Sequence, residues 1–119
     1  MDKTIQINVL LDLYDQLLSK KQRQVMDLYY REDYSLNEIS DIVKTSKQAV
    51  SENIKRAESA LNAYESTLGL AEKNRKWNED ARLLGAQLEK LRAYSDDPKF
   101  LEILSSIESR IEKEGYYDI

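Results

Sequence analysis

The sequence predicts an all-α protein, and three observations carry that expectation. Its 119 residues include one Pro and three Gly, too few turn formers for a set of strand hairpins. Apolar residues recur at spacings of three and four, the period of a helix and not of a strand. Ser stands ahead of several of these runs, twice with Gln or Glu three residues later, which is the sequence signature of a capped helix start.

A first amphipathic helix is expected from Thr4 to Leu18, with Ile7, Leu10, Leu11, Tyr14, Leu17 and Leu18 on one side. Ser19 with Gln22 then opens a second helix that turns Val25, Leu28 and Tyr29 inward. Arg31-Glu32-Asp33 links it to a third helix opened by Ser35 with Glu38, whose inner face holds Leu36, Ile39 and either Ile42 or Val43. Lys44 and Thr45 are all that separates this short helix from the next. The left-handed residue of such a turn is usually Gly. Here it falls to Lys44, at a cost of about 1–2 kcal/mol for a residue with a Cβ. Ser46 opens the fourth helix, with Ala49, Val50, Ile54, Ala57 and Leu61 inward. Residues 1–68 are thus expected to form a four-helix helix-turn-helix domain. Its core gathers around Leu36, Ile39, Val50 and Ile54, with Tyr14, Tyr29 and Tyr30 sealing the edge and their hydroxyls in water.

Residues 69–119 read as a helical extension. One seam steps through Ala57, Leu61, Tyr64, Leu68 and Ala71, and a second through Trp77, Ala81, Leu84, Leu88 and Leu91, with Tyr94 next. The two are out of phase, so a turn, kink or stutter is expected over residues 69–76, with Gly69 able to break the helix. Residues 57–91 can accordingly be one bent helix or a hairpin. Asp97 is placed to cap a last helix that starts at Pro98 and presents Phe100, Leu104, Ile107 and Ile111, with Ile103 alongside. Gly115 should end it, leaving Tyr116 to Ile119 as a tail. These seams are too apolar for lone helices. They are expected to pack on the first part or on a second subunit, and a homodimer is favoured because recognition helices commonly work in symmetric pairs.

Composition narrows the chemistry. With no Cys and no His there is no disulfide framework, thiolate or imidazole metal site, or His-dependent triad. No Gly-rich phosphate loop or nucleophile elbow is present, so neither an enzyme nor a cofactor is expected, and the carboxylates read as caps and solvated faces. No apolar run is long enough to span a bilayer and no secretory start is seen, which leads to a cytoplasmic expectation. The net charge of −4 and pI near 5.0 argue against a protein that coats nucleic acid without selectivity, yet allow a local basic patch.

That patch is expected on the fourth helix. Lys44, Lys47, Gln48, Ser51 and Lys55 share its outer face, with Glu52 and Arg56 beside them. Lys and Arg can hold phosphates, while Gln, Ser and Glu can bond base edges. Ser46, Lys47, Gln48, Ser51, Glu52, Lys55 and Arg56 are therefore the candidate reading surface. Lys20, Lys21, Arg23 and Lys44 are candidate phosphate anchors. A solvated helix face would look much the same, and Glu52 with Arg56 is also the favourable i,i+4 order of an ordinary surface pair.

The stretch KKQRQVMDLYYREDYSLNEISDIVKTSKQAVSENIKRAE resembles the C-terminal promoter-reading region of bacterial sigma factors. It is more similar still to the YlxM or p13-like family of small bacterial helix-turn-helix proteins, as is EILSSI near the end. That family is usually encoded beside the signal recognition particle GTPase and its receptor. The resemblance implies a part in protein targeting, with promoter DNA, the RNA of the particle or its GTPase as partner. A protein-interaction module that modulates the GTPase without reading nucleic acid is the alternative.

Overall fold

The computed structural model describes residues 2–114, and among them there are helices and no strand. The expected stop at Gly115 and the tail from Tyr116 to Ile119 lie outside the described residues. The chain forms two compact units, one up to Ala71 and one from Glu72 onward.

In the first unit, α1 (Lys3–Tyr14) starts at Asp2, whose carboxylate accepts from the Thr4 N–H at 2.7 Å. A single 3-10 turn, Asp15–Leu17, leads to α2 (Lys20–Met26). The expected capping box is present: Ser19 Oγ accepts from the Gln22 N–H at 3.1 Å, and Gln22 Oε1 accepts from the Ser19 N–H at 3.2 Å. The same reciprocal pair joins Ser35 and Glu38 at the start of α3 (Leu36–Val43), at 3.1 and 3.0 Å. The Ser35 backbone N–H, and then its hydroxyl, hold the Glu38 carboxyl below the usual carboxylate range. Lys44 adopts φ 60, ψ 42, the left-handed conformation expected of it. Ser46 accepts from the Ala49 N–H at 3.0 Å and starts α4 (Lys47–Leu68), which stops at left-handed Gly69.

Helix α4 is the centre of this unit, packed by α1, α2 and α3. Its buried stripe is Val50, Ile54, Ala57 and Leu61. Against it lie Ile7, Leu10, Leu11 and Tyr14 of α1, Leu18, Val25 and Met26, and Ile39 of α3. Val43 packs on this core while Ile42 is exposed, which decides between the two.

Several side chains depart from expectation. Leu17 is exposed because α1 ends at Tyr14 and the tighter 3-10 turn carries Leu17 off the inner face. Ala49 is exposed, because the buried stripe of α4 is centred on Val50, Ile54, Ala57 and Leu61 and leaves Ala49 on its flank, while Leu36 packs against the core half-buried. Met26, absent from the expected inner face, is fully buried. Past it the helix widens into one π-type turn, Asp27–Arg31, in which the Glu32 N–H reaches back five residues to the Asp27 carbonyl at 2.9 Å. The wider turn leaves Leu28, Tyr29 and Tyr30 half-buried. It also carries Arg31 to three carboxylates, Asp12, Asp15 and Asp27.

Tyr14 is no edge residue. It is 1% exposed, and its hydroxyl donates to Glu65 Oε1 at 2.7 Å. That hydroxyl also accepts from the Leu70 N–H at 3.1 Å, while Glu65 Oε1 accepts from the Ala71 N–H at 3.0 Å. The reason is local. Helix α5 (Leu70–Leu91) begins directly after Gly69, so its first N–H groups have no carbonyl within the preceding helix to bond. Tyr14 and Glu65 supply the acceptors. The expected break thus shrinks to one residue, with α4 and α5 as separate helices on either side of it.

In the second unit, the rest of α5 passes through a 3-10 turn, Arg92–Tyr94, to α6 (Pro98–Glu114). Asp97 caps α6 as expected, accepting from the Lys99 N–H at 2.9 Å. Arg92 ties the end of α5 to Glu108 of α6 and pairs with Glu89 at 3.2 Å. Leu104 is buried, whereas Leu84, Leu91, Tyr94, Ile103 and Ile107 of the expected seams are exposed. Tyr94 falls in the 3-10 turn and so leaves the helical phase. Asn74 lies off the expected seam yet is buried, and among the described residues neither its amide atoms nor Trp77 Nε1 has a hydrogen-bond partner.

Three outcomes follow from this packing. Leu61→Ala should lower unfolding stability by about 2–5 kcal/mol, read from urea melts, because Leu61 is fully buried. Lys44→Gly should raise stability by up to about 1 kcal/mol in the same assay, as relief of the left-handed strain outweighs the added chain entropy. Burial, and then the Glu65 carboxylate, push the Tyr14 hydroxyl above its ordinary value, and burial and then Glu58 do the same for Tyr30. A raised native value means the stabilising neutral form is fully present below about pH 10, the unfolded value, and is lost above it. The thermal midpoint should therefore fall as pH rises past about 10, and Tyr14→Phe should blunt that fall while costing about 1–3 kcal/mol at neutral pH.

Candidate nucleic-acid interface

The α3–turn–α4 unit is fixed from inside. Ile39 and Val43 anchor α3, Val50 and Ile54 anchor α4, and left-handed Lys44 sets the angle between them. Because a helix turns by about 100° per residue, burying Val50, Ile54, Ala57 and Leu61 dictates which side chains face out.

Lys44, Ser46, Lys47, Gln48, Glu52, Lys55 and Arg56 are all exposed, and Ser51 is half-buried. Ser46 has a structural duty as the cap of α4. Lys20 and Lys21 lie exposed in the first turn of α2, and Arg23 is half-buried on the same helix. Helix α2 packs against α4, so both basic groups belong to one packed body. The wheel adds one refinement. Glu52 does not sit beside the outer face but near its crest, roughly opposite the buried stripe, with Gln48 the nearest neighbour one turn earlier. The signal for this was already in the spacing of Val50, Ile54, Ala57 and Leu61 from Glu52.

Charge pairing sorts the basic side chains of the first unit. Lys3 reaches Glu58 at 3.4 Å. Arg31 is claimed by its three aspartates; burial opposes its charge, and Asp27, Asp15 and Asp12 more than compensate. Arg56 contacts Glu52 at 3.5 Å, with both side chains mostly in water, a geometry that contributes little to stability. Among the described residues, Lys20, Lys21, Arg23, Lys44, Lys47 and Lys55 have no carboxylate at salt-bridge distance. Such side chains are available to phosphate, and Gln48 and Glu52 lie beside Lys55 on the outer face of α4 with groups suited to base edges.

Among the described residues, no group of three or more Asp and Glu is arranged to hold a metal ion. Among the described residues, no helix is long and apolar enough to cross a membrane.

Comparison with known proteins places this geometry in a family. A family model described as "UPF0122: Putative helix-turn-helix protein, YlxM / p13 like" matches residues 1–97. The EILSSI segment, in α6, lies beyond that match. A UPF0122 protein of Exiguobacterium sibiricum is 44% identical over 108 residues, 91% of this chain and 98% of the relative. One from Halalkalibacterium halodurans is 41% identical, with 91% and 99% covered. One from Oceanobacillus iheyensis is 53% identical over 73 residues, 61% of this chain and 70% of the relative. The chain, with its two capped helices across a left-handed turn, belongs to the UPF0122 family of YlxM/p13-like helix-turn-helix proteins.

Proposed function

We propose that this protein is a nucleic-acid-binding regulator that docks the outer face of α4 against a polyanion. One observation carries the reading. Among the described residues, the basic side chains of the first unit that lack a carboxylate partner are Lys20, Lys21, Arg23, Lys44, Lys47 and Lys55; Lys47 and Lys55 lie on α4 to one side of Gln48 and Glu52, and Lys44 stands in the turn before it. In this reading Ser46, Gln48, Ser51, Glu52 and Arg56 meet the nucleic acid between the anchors.

The resemblance to YlxM-type proteins supports a place in the signal recognition particle pathway, with promoter DNA or the particle's RNA as the nucleic acid. An α-helix fits the major groove of duplex DNA, whereas that of regular RNA helix is too deep and narrow, so RNA would be held by shape and phosphates. A symmetric pair of chains would present two copies of α4, the usual arrangement for helices of this kind.

A second reading is favoured by the second unit, where Leu83, Leu84, Leu91, Tyr94, Ile103 and Ile107 remain exposed. Apolar side chains in such number suit a protein contact. That contact would be the second subunit, or the GTPase of the particle, whose turnover the protein would then adjust.

Titration against duplex DNA and against the particle's RNA across salt separates these readings. Phosphate contacts should give a log–log slope of about −0.9 for each duplex DNA contact. Lys47→Glu and Lys55→Glu should each weaken binding by about tenfold or more and shallow that slope by about one or more. A flat slope, or no binding at low salt, removes the first reading. Pull-down with the purified GTPase and its turnover with and without this protein test the second, and sedimentation at micromolar concentration tests the dimer.

A further inference from the structure

We infer that Glu52 makes this interface select a cytosine in duplex DNA, an inference that rests on the docking of α4 proposed above and names the base and atom it reads. The buried stripe of Val50, Ile54, Ala57 and Leu61 leaves Glu52 roughly opposite the core, closer to the crest of α4 than Lys47, Ser51 or Lys55. Glu52 is exposed, and its contact with Arg56 is a single 3.5 Å approach in water. A helix that enters the major groove by its outer face sends its crest toward the base edges and its flanks toward the phosphates. The lysines then meet the backbone, and a carboxylate meets the bases.

An ionised carboxylate can only accept hydrogen bonds. The donors on the floor of the major groove are the N4 amino group of cytosine and the N6 amino group of adenine. Guanine offers two acceptors there, and thymine an acceptor and a methyl group, so both repel a carboxylate or leave it unsatisfied. Adenine N6 lies between two acceptors, its own N7 and the O4 of the paired thymine. Cytosine N4 has an acceptor on one side only, the O6 of its guanine, and a carbon-bound hydrogen on the other. A carboxylate fits the second site with less repulsion. Gln48, one turn earlier, carries both a donor and an acceptor and suits an adjacent adenine instead. Arg56 moves to a phosphate as Glu52 turns to its base, so neither charge is left alone in the groove.

The test is selection of duplexes from a randomised DNA library by the full chain and by Glu52→Ala and Glu52→Gln. Affinities are then measured for the recovered duplex and for the same duplex with C·G changed to T·A. The wild type should recover an invariant C·G pair and lose about tenfold to a hundredfold on its change to T·A. Glu52→Ala should bind both duplexes alike and bind unrelated DNA more tightly, since a negative charge brought close to the polyanion has gone. Glu52→Gln should move the preference at that pair toward A·T. Glu52 is exposed, so these variants should keep the wild-type helical signal. Wild-type binding to DNA with no C·G preference, or a preference that persists in Glu52→Ala, overturns the inference and leaves the wider reading standing. Binding to RNA alone, or to neither nucleic acid, overturns the inference, and binding to neither overturns the wider reading with it.

Discussion

The burial of one stripe on α4, Val50, Ile54, Ala57 and Leu61, fixes what the central helix of the first unit offers to solvent. Three helices close on it, and Val50, Ala57 and Leu61 are left with almost no exposure. A helix held this way cannot rotate about its axis without exposing apolar area, at roughly 25 cal/mol per Å². Its outer face is therefore as well defined as its inner one. The identity of the side chain at the crest is a by-product of core packing, and a one-residue shift in that stripe would present a different set of groups.

The ends of the helices are fixed by a second kind of constraint. Ser19, Ser35 and Ser46 each satisfy an orphan N–H of a first turn, and two of them receive the reciprocal bond. These caps hold the start of each helix in place. At the far end of α4, Gly69 takes a left-handed conformation and α5 starts at once. Its first donors are met by Tyr14 and Glu65, from α1 and α4. A hydroxyl that both donates and accepts is well suited to this point, and only a buried, neutral tyrosine keeps both roles.

Charge is distributed with a similar economy. The chain is acidic as a whole, with net charge −4, yet its electrostatics are local because salt confines exposed charges to about 8–10 Å. Arg31 is surrounded by aspartates, Arg75 lies between Glu72 and Glu79, and Arg92 bonds Glu89 and Glu108. The lysines of the α3–α4 unit stand outside such networks. Relatives from Exiguobacterium and Halalkalibacterium cover 91% of this chain, so the similarity extends through both units, while the family model ends one residue short of α6.

The sequence by itself determined what depends on neighbours three or four residues away. The all-α class, the caps at Ser19, Ser35, Ser46 and Asp97, the left-handed Lys44, the break at Gly69 and the α4 stripe were all legible. Each is a local bond or a periodicity that any chain with those residues would favour. Tertiary structure alone decided what long-range partners control. It drew the Tyr14 hydroxyl into the core to serve a helix start 56 residues away. It also widened the chain after Met26 until Arg31 met three aspartates, and left Leu17, Ile42 and Ala49 in water despite their apolar character. A helical period says that a residue lies on a face, but only the helices packed beside it decide where that face ends.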